Sequence, residues 1–274
     1  MMVLAVLAAI FLPVAAICYG SSKWLKVKKL TVNFEENSSF PKELDGLRIL
    51  HISDIHGRSA FRMNVDIWKT IDKLDFDLAV ITGDLIVWAF KQFSPHSDGI
   101  RRLSERVPVF FADGNHDNKK NNYATIMKTL ARLGVKAPYD EPAVLFNGKL
   151  IISSFRDLSY LKENGEVEAA AAKSHSNENS AFWLALFHQP QFIEYLKEKP
   201  DLSLCGHTHG GQLKLPFLPS LYAPKQGFFP KYGDGFYDFN GKKMYVSRGI
   251  GATYFPLRFW NRAEITILTL KKHH

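Results

Sequence analysis

Gly206-His207-Thr208-His209-Gly210-Gly211 follows directly on the apolar run Leu202-Ser203-Leu204-Cys205. The run reads as a short buried strand. Two imidazoles one residue apart, with no apolar partner between them, are poor core material. The flanking glycines let the backbone turn sharply and pass close to other groups. A strand that stops and at once presents two nitrogen donors has the character of a metal site. Four other apolar runs end the same way. Residues 47–53 end in Asp54, with His56 two positions on; 78–82 end in Gly83-Asp84. Residues 107–112 lead through Asp113-Gly114 to Asn115-His116-Asp117, and 182–187 stop at His188. In open α/β sheets ligands sit at the carboxyl ends of strands, so these side chains are expected to converge in one crevice. Polar turn residues account for one such strand end but poorly for five.

The chain has 274 residues, 46% hydrophobic and 23% charged, which suits a full buried core and excludes a disordered chain. Its formal net charge is +8, with Lys23, Lys26, Lys28 and Lys29 clustered near the amino terminus. No stripe of Lys and Arg interleaves with stacking aromatics, so nucleic acid is not the expected partner. An anionic substrate or an anionic lipid surface suits the surplus. Residues 1–19 are nearly all apolar and carry no charged side chain, close to the ~20 that a spanning helix needs. They lack the basic leading region and small-x-small site of a cleaved signal. The expectation is an N-terminal transmembrane anchor over 1–20, a juxtamembrane connector over 21–46 and the catalytic domain over 47–274. The lysines after the span place that domain in the cytoplasm, held by a single pass in the cell membrane. Cys18 and Cys205 read as free, small apolar fillers.

Residues 28–33 alternate like an edge strand. Helical spacing covers 64–74, 97–106 and 122–133, the last closed by Gly134. Residues 143–146 and 150–154 about Asn147-Gly148 predict a hairpin. The polar, alanine-rich stretch 164–179 reads as a mobile helical insertion, and 191–199 as a short helix. Residues 217–239 are rich in aromatics, Gly and Pro without a period. Strands follow over 244–247 and 264–270, and 271–274 read as a solvated tail. Helices alternating with parallel strands, then short strands gathering late, predict an α/β fold with two sheets packed between helical layers.

Taken in order, Asp54-x-His56, Gly83-Asp84, Gly114-Asn115-His116-Asp117, His188 and Gly206-His207-Thr208-His209 resemble the five-block signature of calcineurin-like metallophosphoesterases. Gly210-Gly211-Gln212 and the later Ser247-Arg248-Gly249-Ile250-Gly251, Arg258 and Glu264 are similar to the membrane-associated bacterial phosphodiesterase branch. The resemblance covers residues 47–270. It implies a two-sheet αββα sandwich and two divalent metal ions. Asp54, His56 and His209 would hold one, Asn115, His188 and His207 the other, and Asp84 would bridge them. Donors of nitrogen and oxygen without thiolate admit manganese, iron or zinc, and the resemblance favours manganese. The implied reaction is hydrolysis of a phosphodiester or pyrophosphate by a hydroxide shared between the metals. His116 would be the general acid, with Asp117 orienting its ring or capping the following helix. Asn115 and Arg58 would contact the substrate phosphate.

A lipid-linked substrate such as UDP-2,3-diacylglucosamine, and membrane lipids as partners, fit the anchor. The alternatives are a general phosphodiesterase or phosphatase on soluble substrates, and a non-catalytic scaffold of the same fold. The scaffold is disfavoured because His116 and every ligand position are present. Outside the signature, His51 reads as a core or supporting histidine. Arg248 reads as structural or substrate-facing, and His96 and His175 as surface residues. Phe217, Tyr222, Phe228, Phe229, Tyr232, Phe236 and Tyr237 read as loop packing or as a rim that touches acyl chains.

Overall fold

Strands β3 (Leu78–Thr82) and β4 (Val109–Ala112) are buried at every residue. Such strands need apolar cover on both faces, as in parallel sheets flanked by other layers. The computed structural model describes residues 12–13, 16–21, 24–35, 40–56, 66–85, 94–118, 123–172, 181–211, 214, 220–251 and 258–272. In the first sheet β2 (Arg48–Ile52), β3, β4 and β5 (Val135–Lys136) run parallel in that order. On the other side of β2 lies antiparallel β14 (Glu264–Lys272), and β1 (Lys26–Phe34) closes the edge parallel to it. The second sheet has β7 (Leu150–Ser154), β8 (Phe182–Leu186), β9 (Leu202–Cys205) and β13 (Lys242–Val246) in parallel. Its antiparallel edges are β6 (Ala143–Leu145) and β12 (Gly235–Phe239).

The period of two along each strand divides the core into three layers. Ile49, Val80 and Phe110 point inward and meet Ile152, Leu184 and Leu204 of the other sheet. Their neighbours Leu50, Ile81 and Phe111 point outward, under α1 (Ile67–Ile71), α2 (Ser94–Arg106) and α3 (Tyr123–Arg132). Ile151, Trp183 and Cys205 face the other way, against α4 (Leu158–Asn164), α5 (Val167–Ala172) and the turn Pro190–Glu194. The result is the αββα sandwich expected from the sequence.

Several local expectations change. The helix expected over 64–74 is the short α1, opened by Asp66, whose carboxylate accepts from the amides of Trp68 at 2.9 Å and Lys69 at 3.1 Å. His96 is buried rather than on the surface, and its Nδ1 accepts from Trp68 Nε1 at 3.1 Å. The alanine-rich stretch is no outlying insertion where it is described, because Val167 and Ala171 of α5 sit in the core. The helix expected over 191–199 is a single tight turn. The aperiodic aromatic stretch holds β10 (Tyr222–Ala223), β11 (Gly227–Phe228) and β12. The tail expected to be solvated begins inside β14, and Lys272 donates its amide to Asp45 at 2.9 Å. Among the described residues no helix is long and apolar enough to cross a membrane. The anchor expected over 1–20 lies largely outside them, as do Arg58, His175, Gln212 and Phe217.

Gly99 in the middle of α2 packs on the Trp68 ring, and a Cβ there would overlap the ring atoms. Replacing a helix glycine by alanine ordinarily stabilises by up to about 1 kcal/mol. Here the clash with a ring held by His96 outweighs that gain, since overpacking typically costs about 1–3 kcal/mol. Gly99→Ala is expected to lower the denaturation midpoint; a raised midpoint would contradict this packing.

Candidate metal centre

The carboxyl ends of β2, β3, β4, β8 and β9 meet where the two sheets abut. There the chain leaves the strands through unusual backbone. Asp54, His56, Asp84, His207 and His209 all have left-handed φ, between 50° and 72°. Each such residue costs about 1–3 kcal/mol and persists only where its surroundings hold it. Two glycines permit the approach. A Cβ on Gly114 would overlap the Asp84 carboxylate, and one on Gly206 would overlap Ser53 Oγ and Asp54 Oδ2.

These turns bring the expected ligands together. His56 Nε2 lies 3.0 Å from His209 Nε2, and His188 Nε2 lies 3.2 Å from His207 Nδ1. Asp54 Oδ1 is 3.4 Å from His209 Nε2 and 3.8 Å from His56 Nε2. Asp84 Oδ2 is 3.2 Å from His188 Nε2 and 3.8 Å from His56 Nε2, so it reaches both sides. Among the described residues three groups able to hold a cation result: Asp54 with His56 and His209, Asp84 with His188 and His207, and Asp84 with His56 and His116. Asn115 Oδ1 is buried without a hydrogen-bond partner, as suits an oxygen kept for a ligand. Facing imidazole nitrogens and two buried carboxylates make an electron-rich pocket that divalent cations fit.

Burial dominates the electrostatics. It raises Asp54 to about 6 and pushes His56 and His207 down to about 3, leaving those rings neutral. Asp84 behaves differently. Burial works to raise it, but the His188 ring beside it, together with His56 and His116, outweighs burial and holds the carboxyl well below its usual range. His188 Nδ1 donates to the Thr82 carbonyl at 2.8 Å, which aims Nε2 at Asp84.

His116 packs edge-on to His56, with ring centroids 5.2 Å apart and Nε2 3.9 Å from Asp84 Oδ2. Its amide donates to Asp84 Oδ1 at 2.9 Å. Asp117 Oδ2 accepts from the Gly114 amide at 2.9 Å and ties the turn. His51 is fully buried and bonds Thr82 Oγ1 at 2.8 Å, behind the carbonyl that orients His188. Arg248 is held by Asp234, 2.7 Å away.

Other supports were not legible in the sequence. Arg156 lies between the rings of Tyr123 and Tyr160, 4.0 Å from each centroid, and donates to Asn118 at 2.8 Å. It thereby braces the loop that carries Asn115 and His116. Gln189 donates to Asp157 at 2.9 Å and fixes the backbone after His188. Asn261 donates to the His209 carbonyl. The Asp-x-Ser start of α4 is the signal that could have found Asp157; the partners of Arg156 are too dispersed to give one.

In the absence of cations the Asp84–His188 pair retains a proton, because Asp84 raises the His188 ring well above its usual range against the effect of burial. A cation must displace that proton, so binding releases it and apparent affinity rises with pH. Calorimetry of manganese binding near neutral pH, in buffers of different ionisation enthalpy, is expected to show proton release. Heat independent of the buffer would contradict this arrangement.

The family model described as calcineurin-like phosphoesterase matches residues 47–211. The chain is 34% identical over 265 residues to a phosphodiesterase called YaeI from Escherichia coli (strain K12), covering 92% of this chain and 90% of that protein. It is 30% identical over 265 residues to YkuE, an uncharacterized metallophosphoesterase of Bacillus subtilis (strain 168), with the same coverage of 92% and 90%. A Danio rerio protein called transmembrane protein with metallophosphoesterase domain is 31% identical over 252 residues, covering 85% of this chain and 55% of that protein. With these similarities and a pocket that gathers the signature side chains, the chain belongs to the calcineurin-like phosphoesterases, hydrolases of phosphoric esters that use divalent metal ions.

Proposed function

We propose that this chain hydrolyses a phosphodiester or pyrophosphate bond at the membrane, on a lipid-linked substrate of the UDP-2,3-diacylglucosamine type. The observation that carries the reaction class is the placement of Asp84, within 3.8 Å of His56 Nε2 and 3.2 Å of His188 Nε2. Asp54, His56 and His209 would hold one cation, Asn115, His188 and His207 the second, and Asp84 both; manganese is the proposed metal. When bound, such a pair polarises phosphoryl oxygens and lowers the pKa of water between the ions.

The protein's own groups do the rest. Asp84 and Asp54 would offset the charge of the cations, and the Thr82 carbonyl keeps the His188 ring turned inward. His116, mostly buried at the edge of the pocket with Nε2 3.9 Å from Asp84 Oδ2, would give a proton to the departing oxygen. Asn115 and Arg58 would steady the phosphate, Arg58 on the strength of its place in the sequence. Membrane attachment through residues 1–20, with the domain on the cytoplasmic side, is supported by the uncharged N-terminal run and the lysines after it. The name of the Danio rerio relative agrees with such a tether.

His116→Ala is expected to slow hydrolysis of bis(4-nitrophenyl) phosphate by on the order of 10²–10⁴-fold with bound metal unchanged. Full activity in that variant would remove the acid role. The full chain is expected to hydrolyse UDP-2,3-diacylglucosamine in parallel assays. Turnover of the aryl phosphodiester alone would remove the lipid-linked substrate and leave a phosphodiesterase of soluble compounds.

A further inference from the structure

Exposed aromatic side chains gather at one end of this molecule. Tyr222 and Phe228 face each other across the β10–β11 hairpin, with ring centroids 5.5 Å apart. Phe228 is 78% exposed and Phe229 is 70% exposed. Phe229 has a left-handed backbone, φ 51°, which a bulky residue rarely adopts. Its amide is tied to the Leu221 carbonyl at 2.8 Å, so the exposed rings stand on a braced turn. Lys225 is exposed on one side of them, and Lys231 on the other pairs with Glu194 at 2.6 Å.

This hairpin stands beside the metal pocket. Gly211, in the turn that carries His209, packs so closely beneath it that a Cβ would press on Ser220 and the Tyr222 carbonyl. Trp260, 53% exposed, flanks the same turn. Its neighbour Asn261 donates to the His209 carbonyl, and Arg258 Nη2 lies 3.3 Å from His209 Nδ1.

Strand register adds a third feature. Lys26 at the start of β1 lies opposite Glu264 at the start of β14. β14 runs antiparallel to β2, whose carboxyl end delivers Asp54. The chain therefore enters the sandwich at the catalytic end, where the Lys26 amide bonds the Ala263 carbonyl at 2.8 Å. Trp24 just ahead is exposed, and residues 1–19 carry no charged side chain. The pocket, the aromatic rim and the point where β1 begins thus share one end. The exposed Phe146, before β7, lies at the other.

We propose that the mouth of the pocket is a membrane-docking face. The β10–β11 hairpin with Phe228 and Phe229, flanked by Trp260 and Trp24, seats on an anionic lipid bilayer, and the pocket opens toward that surface. Aromatic rings with the exposed Lys225 beside them suit the headgroup boundary, where rings enter the acyl edge and an ammonium group meets lipid phosphates. An apolar tether entering at that same end would hold this face, rather than the opposite one, against the bilayer. The inference rests on the anchored reading above and adds the orientation of the pocket.

The test uses the full chain in a Cys18→Ser background, labelled with nitrobenzoxadiazole at Phe229→Cys or, as a control, at Phe146→Cys. Vesicles contain phosphatidylcholine and phosphatidylglycerol with nitroxide-bearing acyl chains. Quenching at position 229 is expected to exceed that at 146 by about threefold or more, as for groups at the acyl boundary. Equal quenching at both positions, or none at 229, overturns the proposal. Shielding of 229 that follows protein density and ignores nitroxide content assigns the patch to a second copy, and also overturns it. Turnover of bis(4-nitrophenyl) phosphate in the same samples separates the two readings. Turnover without quenching removes the docking face alone, and quenching without turnover removes the phosphoesterase reading alone.

Discussion

The His207 amide donates to both carboxylate oxygens of Asp54, at 3.2 and 3.1 Å. That contact joins a strand end of one sheet to a strand end of the other, and the site depends on it. Gly206 makes it sterically possible, since any side chain there would occupy the space of Ser53 and Asp54. Ser53 Oγ adds 2.7 and 3.0 Å bonds to Asp54 and to the Thr82 carbonyl, extending the join to β3. The apolar sandwich holds the two sheets at a fixed distance, and these polar contacts fix their relative register at the catalytic end. Backbone strain at five donor residues persists because both restraints act together.

The same junction concentrates charge that the protein alone satisfies poorly. Asp54 and Asp84 are buried side by side, and desolvation works to raise both carboxyls. A buried carboxylate without a full partner is costly. Here the cost is offset in part by a proton shared with His188 and by backbone amides, and the remainder is what cations relieve. A pocket arranged this way is pre-formed for metal, and its residual destabilisation without metal is part of its affinity.

Much of this was legible in the sequence for a chemical reason. Asp, Asn and His at the ends of apolar runs are conspicuous against a core of Ile, Leu and Phe, and their order carried the family resemblance. The inward and outward alternation of Ile49-Leu50 or Phe110-Phe111 was readable as buried strands, though not which sheet each would join. What failed depended on distant partners. His96 looked like a loop residue because nothing near it announces Trp68, the indole that it accepts from. Alanines in α5 looked mobile because small side chains reveal their packing only once a neighbour is in place. Two-residue ladders such as β10–β11 have no period to detect.

The account turns on Asp84 lying between paired cations at the junction of the sheets. Diffraction from crystals grown with manganese, recorded at its absorption edge, tests this most directly. The account predicts two anomalous peaks about 3.5–4 Å apart, with the Asp84 carboxylate bound to both. A single peak, or a pair with Asp84 outside the coordination of either, would contradict it.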